Sequence, residues 1–262
     1  MEEALSDDAD GALSLLADLT GATDVKLRQM ARELAGRIVV DLARTGQPKV
    51  RGVGKLQAMP MDDSGGDLDL DASLEAIGLA RATGTAPPLE DLVTRTWTRP
   101  GLALCLLIDR SGSMNGARLA AAAVAVAAAA ERAPEDHAVV AFSDKAVVVK
   151  GRTQIRSRED VINDVFRLRG FGPTDLSLAL RVAAEQLADS RASRKRVILF
   201  SDCRPTAGSA PEDARDLVEE LHIVAPAEDC EDAQIFADAV GAKFAPLSGP
   251  SAVPEVFRTL LD

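Results

Sequence analysis

Leu102-Ala103-Leu104-Cys105-Leu106-Leu107-Ile108-Asp109-Arg110-Ser111-Gly112-Ser113-Met114 is the stretch that decides how this chain folds. Seven apolar residues end abruptly in a carboxylate, and hydroxyls follow two and four positions later. The run is too short to cross a bilayer and reads as a strand buried on both faces, as in a parallel sheet. Gly112 lets the chain turn sharply past the strand end. Asp109, Ser111 and Ser113 then point into one crevice at the carboxyl edge of the sheet, where open α/β folds bind ligands. One carboxylate with two hydroxyls is an oxygen-only donor set, suited to a hard divalent cation such as Mg²⁺.

Two later segments complete that pattern. Phe171-Gly172-Pro173-Thr174-Asp175 is a tight loop opening a helical stretch, and Thr174 supplies a third hydroxyl. Arg196-Val197-Ile198-Leu199-Phe200-Ser201-Asp202 is a second apolar strand ending in a carboxylate. Read without the others, Asp109 to Ser113 is only a turn, Thr174 a helix N-cap and Asp202 a loop carboxylate.

Together, in this order, the three motifs resemble the metal-ion-dependent adhesion site of von Willebrand factor A-like domains, over roughly residues 100 to 262. The resemblance implies that Ser111, Ser113 and Thr174 contact the metal through their hydroxyls. Asp109 and Asp202 would orient ligands, often through water. Mg²⁺ is the expected ion, with Mn²⁺ or Ca²⁺ as alternatives, and one coordination position is kept for a partner's Asp or Glu carboxylate. Arg110, Arg169, Asp175 and Cys203 flank these motifs and are the expected partner contacts, Arg169 being best placed to meet an incoming carboxylate. Members of the family often have Gly after the third-motif Asp, where this chain has Cys203, which puts the shape of that loop in question.

The alternation of elements extends the fold. Strands are expected at 102–108, 138–142, 146–150, 196–201, 221–225 and 243–247. Helices are expected at 117–132, 158–167, 175–189, 211–220, 230–240 and 252–261. This order predicts an α/β fold, a doubly wound and mostly parallel sheet with helices on both faces. The segments 138–142 and 146–150 are too close for a crossover helix, so they form an antiparallel hairpin that makes one edge strand antiparallel. Helix 117–132 is almost entirely alanine and valine, which implies burial and close approach to its neighbours.

Residues 1–100 read as a partly helical N-terminal extension ahead of the 101–262 domain. Asp24 to Arg44 carries a helical apolar face of Leu27, Met30, Leu34, Ile38 and Leu42. An acidic linker at 62–71 follows. The alternation Asp67-Leu68-Asp69-Leu70-Asp71 is either a short edge strand or a solvated entry into a helix. It lacks the Gly and closing Glu of an EF-hand loop. A Gly-Asp-Leu-Asp segment followed by Ser73-Leu74, upstream of the Asp-x-Ser-x-Ser motif, is similar to intracellular family members associated with MoxR-type AAA+ ATPases, the CoxE-like proteins among them.

Composition narrows the function. The chain has 262 residues, a net charge of −11, 3% aromatic residues and no Tyr, which opposes phosphate-backbone or base-stacking recognition of nucleic acid. Three cysteines, Cys105, Cys203 and Cys230, make neither a disulfide framework nor a zinc cluster. The acidic first ten residues lack the basic and apolar regions of a signal peptide, and no segment is long enough for a membrane span. The expected location is cytoplasmic. Basic residues gather at Arg152, Arg156, Arg158, Arg167 and Arg169, and again at Arg191 to Arg196, either as solvated faces or as a docking surface.

No nucleophile–base pair, Gly-x-Ser-x-Gly elbow or P-loop is present. The expectation is therefore a non-enzyme: a Mg²⁺-dependent protein-binding adaptor whose partner is an AAA+ ATPase or its client. A metal-dependent phosphohydrolase, or a scaffold with a vestigial metal loop, are the alternatives.

Overall fold

A computed structural model describes residues 8–19, 39, 55–60, 67–88, 91–98, 101–110, 116–134, 136–168, 170 and 172–261. The elements in order are α1 (Ala9–Leu19), β1 (Lys55–Pro60), β2 (Asp67–Leu68), α2 (Leu70–Thr83), β3 (Val93–Thr98), β4 (Leu102–Asp109) and α3 (Gly116–Arg132). Then come β5 (His137–Phe142), β6 (Ala146–Lys150), α4 (Arg158–Val165), α5 (Leu176–Ala188), β7 (Arg194–Phe200) and α6 (Glu212–Arg215). The chain finishes with β8 (Glu220–Pro226), α7 (Glu231–Val240), β9 (Lys243–Leu247), a 3-10 turn (Pro250–Ala252) and α8 (Val253–Leu261). These residues fall into two compact units, one drawn from 1–49 and 102–262, the other from 50–101.

The larger unit is built on a six-stranded sheet of order β6-β5-β4-β7-β8-β9. β4 pairs in parallel with β5 and β7, and β8 and β9 continue that direction. Only the edge pair β5–β6 is antiparallel, the hairpin that the short spacing of the two segments required. The chain runs outward from β4 to β6 and then crosses back to β7. The carboxyl ends of β4 and β7 therefore flank the point where the winding reverses.

β4 shows why its apolar run is unbroken. Leu104, Leu106 and Ile108 join one core with α1, α3, α4 and α8. Ala103, Cys105 and Leu107 join the other, with α5, α6 and α7. Alternate residues point to opposite faces, so a strand covered on both sides has no polar face. Burial pushes the Cys105 thiol up to about 12, so it behaves as a small hydrophobe.

α3 is buried along nearly its whole length. Its small side chains let α1 lie directly on it, with Leu13 and Ala17 buried in the shared core. A Cβ on Gly116 would stand 2.6 Å from the Ser14 carbonyl oxygen, so glycine is what allows the approach. Asp10 of α1 also reaches the 3-10 turn before α8, accepting from Ser251 N at 2.7 Å and Ser251 Oγ at 2.9 Å.

Most boundaries fall within one or two residues of expectation, and two of the differences have a clear cause. The helix expected at 211–220 shortens to α6, because Leu217 and Val218 make tight i→i−3 bonds and β8 begins at Glu220, opposite Arg196. β7 starts two residues early, since Arg194 and Lys195 pair with Leu102 and Ala103. The helix expected at 24–44 lies outside the described residues, apart from Val39.

The smaller unit is a three-stranded antiparallel sheet of order β1-β3-β2, with α2. The 67–71 alternation is a short edge strand that runs straight into a helix, and the entry is buried at Asp69 rather than solvated. Asp67 and Leu68 pair with Arg95 and Thr94, and Asp69 then caps α2 by accepting from Ala72 N at 3.2 Å. Ser73 Oγ accepts from Val93 N at 2.9 Å, holding α2 to β3.

Candidate functional site

Asp109 is the last residue of β4 and is buried. The parallel register sets Ile108 beside Phe200, which brings the residues that follow β7 alongside it. Ser201 Oγ donates to Asp109 Oδ2 at 2.6 Å and accepts from Cys203 N at 2.9 Å. One hydroxyl thus orients the Asp109 carboxylate and fixes the turn after β7. Asp202, also buried, lines the same cavity as Asp109.

Thr174 reaches this edge through backbone staples. Its N–H donates to Thr206 Oγ1 at 2.9 Å, and its carbonyl accepts from Thr206 N at 3.0 Å and Ala207 N at 3.2 Å. Asp175 N donates to the Ser143 carbonyl at 3.0 Å, tying the loop to the end of β5. The Asp175 carboxylate caps α5 by accepting from Leu178 N at 2.9 Å. Gly208, at φ 88, passes so close that a Cβ there would overlap that carboxylate.

The loop shape questioned at Cys203 has a clear answer. Cys203 has φ 56, the left-handed conformation in which glycine is at ease. The backbone keeps a glycine-like turn while carrying a side chain. That side chain is turned inward, with Sγ 3.8 Å from the Ser201 carbonyl, and burial pushes the thiol up. Arg110 leaves β4 with its N–H donating to Phe142 O at 2.8 Å. Ser111, Ser113 and Arg169 lie outside the described residues.

Charge around the site is organised as a chain of ion pairs. Arg118, in the first turn of α3, stands 3.6 Å from Asp202 and 3.3 Å from Asp229. Arg204 bridges Asp229 at 2.7 Å and Asp232 at 2.5 Å. Ser201, Thr206 and Arg118 carry this arrangement, and sequence reasoning assigned none of them a role. Ser201 had a signal, a hydroxyl beside a strand-terminal carboxylate. Thr206 and Arg118 had none, because their partners are 32 and 84 residues away. The basic clusters elsewhere are largely paired within the chain: Arg152 with Asp136, Arg156 and Arg167 with Asp164, Arg158 with Glu131, Arg196 with Glu220.

The donors fit a hard cation in type. Asp109, Asp202 and Thr174 present oxygen only. Among the described residues no group of three or more His, Cys, Asp or Glu side chains is gathered as a metal cage. The arrangement is a pair of carboxylates with hydroxyls at the reversal point of a doubly wound α/β sheet, the position at which open sheets of this kind bind ligands.

Residues 104–205 match the sequence profile of the von Willebrand factor type A domain. An uncharacterized protein of Synechocystis sp. is 30% identical over 104 residues, covering 38% of this chain and 25% of that protein. The structure of a von Willebrand factor type A protein from Catenulispora acidiphila is 26% identical, with a TM-score of 0.47, covering 64% of this chain and 43% of that one. An aerotolerance-related membrane protein from Bacteroides fragilis, 11% identical, covers 62% of this chain and 98% of that one at a TM-score of 0.50. The chain thus spans less than half the length of the first two relatives. Over residues 104–205 the chain is similar to the von Willebrand factor type A domain, and its larger unit has the α/β fold of such domains. Among the described residues no helix is long and apolar enough to cross a membrane.

Proposed function

We propose that this chain is a protein-binding module that uses a divalent cation, Mg²⁺ foremost and Mn²⁺ or Ca²⁺ as substitutes, to capture an Asp or Glu carboxylate from a partner. The observation that carries this reading is the placement of Asp109 and Asp202 on one cavity, at the ends of adjacent parallel strands, with Ser201 orienting the first. A divalent cation entering this crevice would be drawn to both carboxylates, and would be the largest local charge there. Ser111, Ser113 and Thr174 would hold the ion, with Asp109 and Asp202 orienting its shell. The bound ion supplies an electrophile for an outside carboxylate.

Binding is favoured over catalysis because neither histidine, the side chain most often used as a general base, lines the cavity. His137 begins β5 at the opposite edge of the sheet, and His222 is buried within β8. The partner class that fits the Gly-Asp-Leu-Asp segment is a MoxR-type AAA+ ATPase, or the client it remodels, in the cytoplasm. In the described structure Asp69 and Ser73 serve the local packing of α2 and β3.

The test is thermal unfolding and affinity capture with wild type and Asp109→Ala. Mg²⁺ at a hundred times its dissociation constant should stabilise the wild type by about 2.7 kcal/mol, several degrees in melting temperature, and the variant not at all. Wild type in Mg²⁺ should retain an ATPase or its client from lysate that the variant loses. Equal melting curves with and without Mg²⁺, Mn²⁺ and Ca²⁺ would refute the reading.

A further inference from the structure

Next to the two carboxylates the sheet and α3 leave a cavity of about 80 Å³. Its floor is apolar: Ala121 and Ala122 on α3 face Phe200, Val224 and Leu247 at the ends of β7, β8 and β9. Its mouth is polar, formed by Asp109, Ser201 and Asp202 together with Arg118 and Glu228. The space exists because α3 carries alanine where an ordinary core helix carries leucine. The cavity is framed by the turn at 248–250, which Asp10 fastens through Ser251. It is therefore built and held open within the folded unit.

An apolar cavity that shares its mouth with the carboxylate site fits a ligand with two ends. We propose that the cavity is a specificity pocket: the partner's Asp or Glu is read together with a neighbouring branched aliphatic side chain, Leu, Ile or Val, which fills the space beneath it. This rests on the reading that a metal-held carboxylate is captured here. Size selects the side chain. The cavity is about half the roughly 150 Å³ of an engineered apolar cavity that takes benzene, so a four-carbon branched group fits and an aromatic ring does not. A lysine or arginine head would find no described carboxylate on the floor, which Ala121, Ala122, Phe200, Val224 and Leu247 make apolar. Polar groups placed there lose water without gaining a partner.

Two small acids separate the parts: acetate, which offers only the carboxylate, and 4-methylpentanoate, which adds an isobutyl tail. NMR titrations in Mg²⁺ and in EDTA give both affinities for the full chain. The wild type should bind 4-methylpentanoate at least about tenfold more tightly than acetate in Mg²⁺, the gain expected from burying a branched tail. Ala121→Leu should abolish the difference and leave acetate binding unchanged. Ala117→Leu, at a more exposed position on the cavity wall, should narrow it without loading the core. Acetate binding that depends on Mg²⁺, with no preference for the branched acid, overturns the pocket and leaves the metal reading standing. A preference that survives both substitutions overturns it as well. Acetate binding indifferent to Mg²⁺ overturns the metal reading, and the pocket as a partner-reading device with it.

Discussion

Replacing Ser201 by alanine removes one hydroxyl that serves two buried partners. Asp109 Oδ2 loses a donor at 2.6 Å, and the Cys203 N–H loses its acceptor at 2.9 Å. A hydrogen bond to a charged group contributes about 1.5–3 kcal/mol, and a buried N–H left unpaired costs about 1–3 kcal/mol. The site is at the sheet edge, where water can partly compensate, so the expected loss is about 3 kcal/mol. For a unit of this size that is a melting temperature lower by roughly 6–12 °C. Urea unfolding in EDTA measures it free of metal binding. The same substitution in an Asp109→Ala background removes only the Cys203 bond, and should cost at least about 1.5 kcal/mol less. A loss below about 1 kcal/mol in the wild type, or equal losses in both backgrounds, would refute the bridging role of this hydroxyl.

Further outcomes can be read in the same assay. Burial first, and then the charges of Lys150 and Arg158, hold His137 below its ordinary value, and burial with Lys243 and Arg194 does the same for His222, against a smaller pull from Glu220. The unfolded chain takes up these protons more readily. Stability is thus fully present above the unfolded value of roughly 6.5 and falls as pH drops through it, by at most about 1.4 kcal/mol per pH unit for each histidine. Stability that is flat or rising from pH 7.5 to 5.5 would contradict their burial. Cys203→Val places a β-branched residue at φ 56 and should cost about 1–3 kcal/mol, whereas Cys203→Gly should stay within about 1 kcal/mol; the reverse order would contradict the left-handed turn. A Cβ at Gly249 would stand 2.1 Å from Asp10 Oδ2. Gly249→Ala should therefore expel that carboxylate, destabilise by about 1 kcal/mol and speed amide exchange in residues 9–19. In an Asp10→Ala background the effect should vanish, and its persistence there would show that Asp10 is not what the glycine accommodates.

The parts of the fold legible in the sequence are those with continuous signals. β4, β5, β7 and β8 are buried on both faces, and unbroken apolar runs announce that without any partner being known. The hairpin followed from chain length alone. The smaller unit was harder to see, since β1 and β3 are short and rich in polar residues, and their pairing joins segments about forty residues apart. α1 was missed because its buried face is only Leu13 and Ala17, and its fit depends on a glycine a hundred residues later. The carboxylates of the site stood out as the ends of apolar strands. The groups that orient them did not, because Ser201, Thr206 and Arg118 act on partners that only the folded sheet brings near.

α1 and β4 belong to one unit, although residues 50–101 lie between them in the chain. The smaller unit is thus an insert, tethered to the larger one at both of its ends rather than hanging from one. A protease cut within 50–101 would produce a two-chain protein and not a truncated one. The piece bearing Leu13, Ala17 and Asp10 stays seated on α3 and the turn before α8, and the halves part only when the core is denatured. The same connectivity makes this interval the natural place to open the chain in a circular permutant, or to graft a foreign domain, without disturbing the edge of the sheet that carries Asp109 and Asp202.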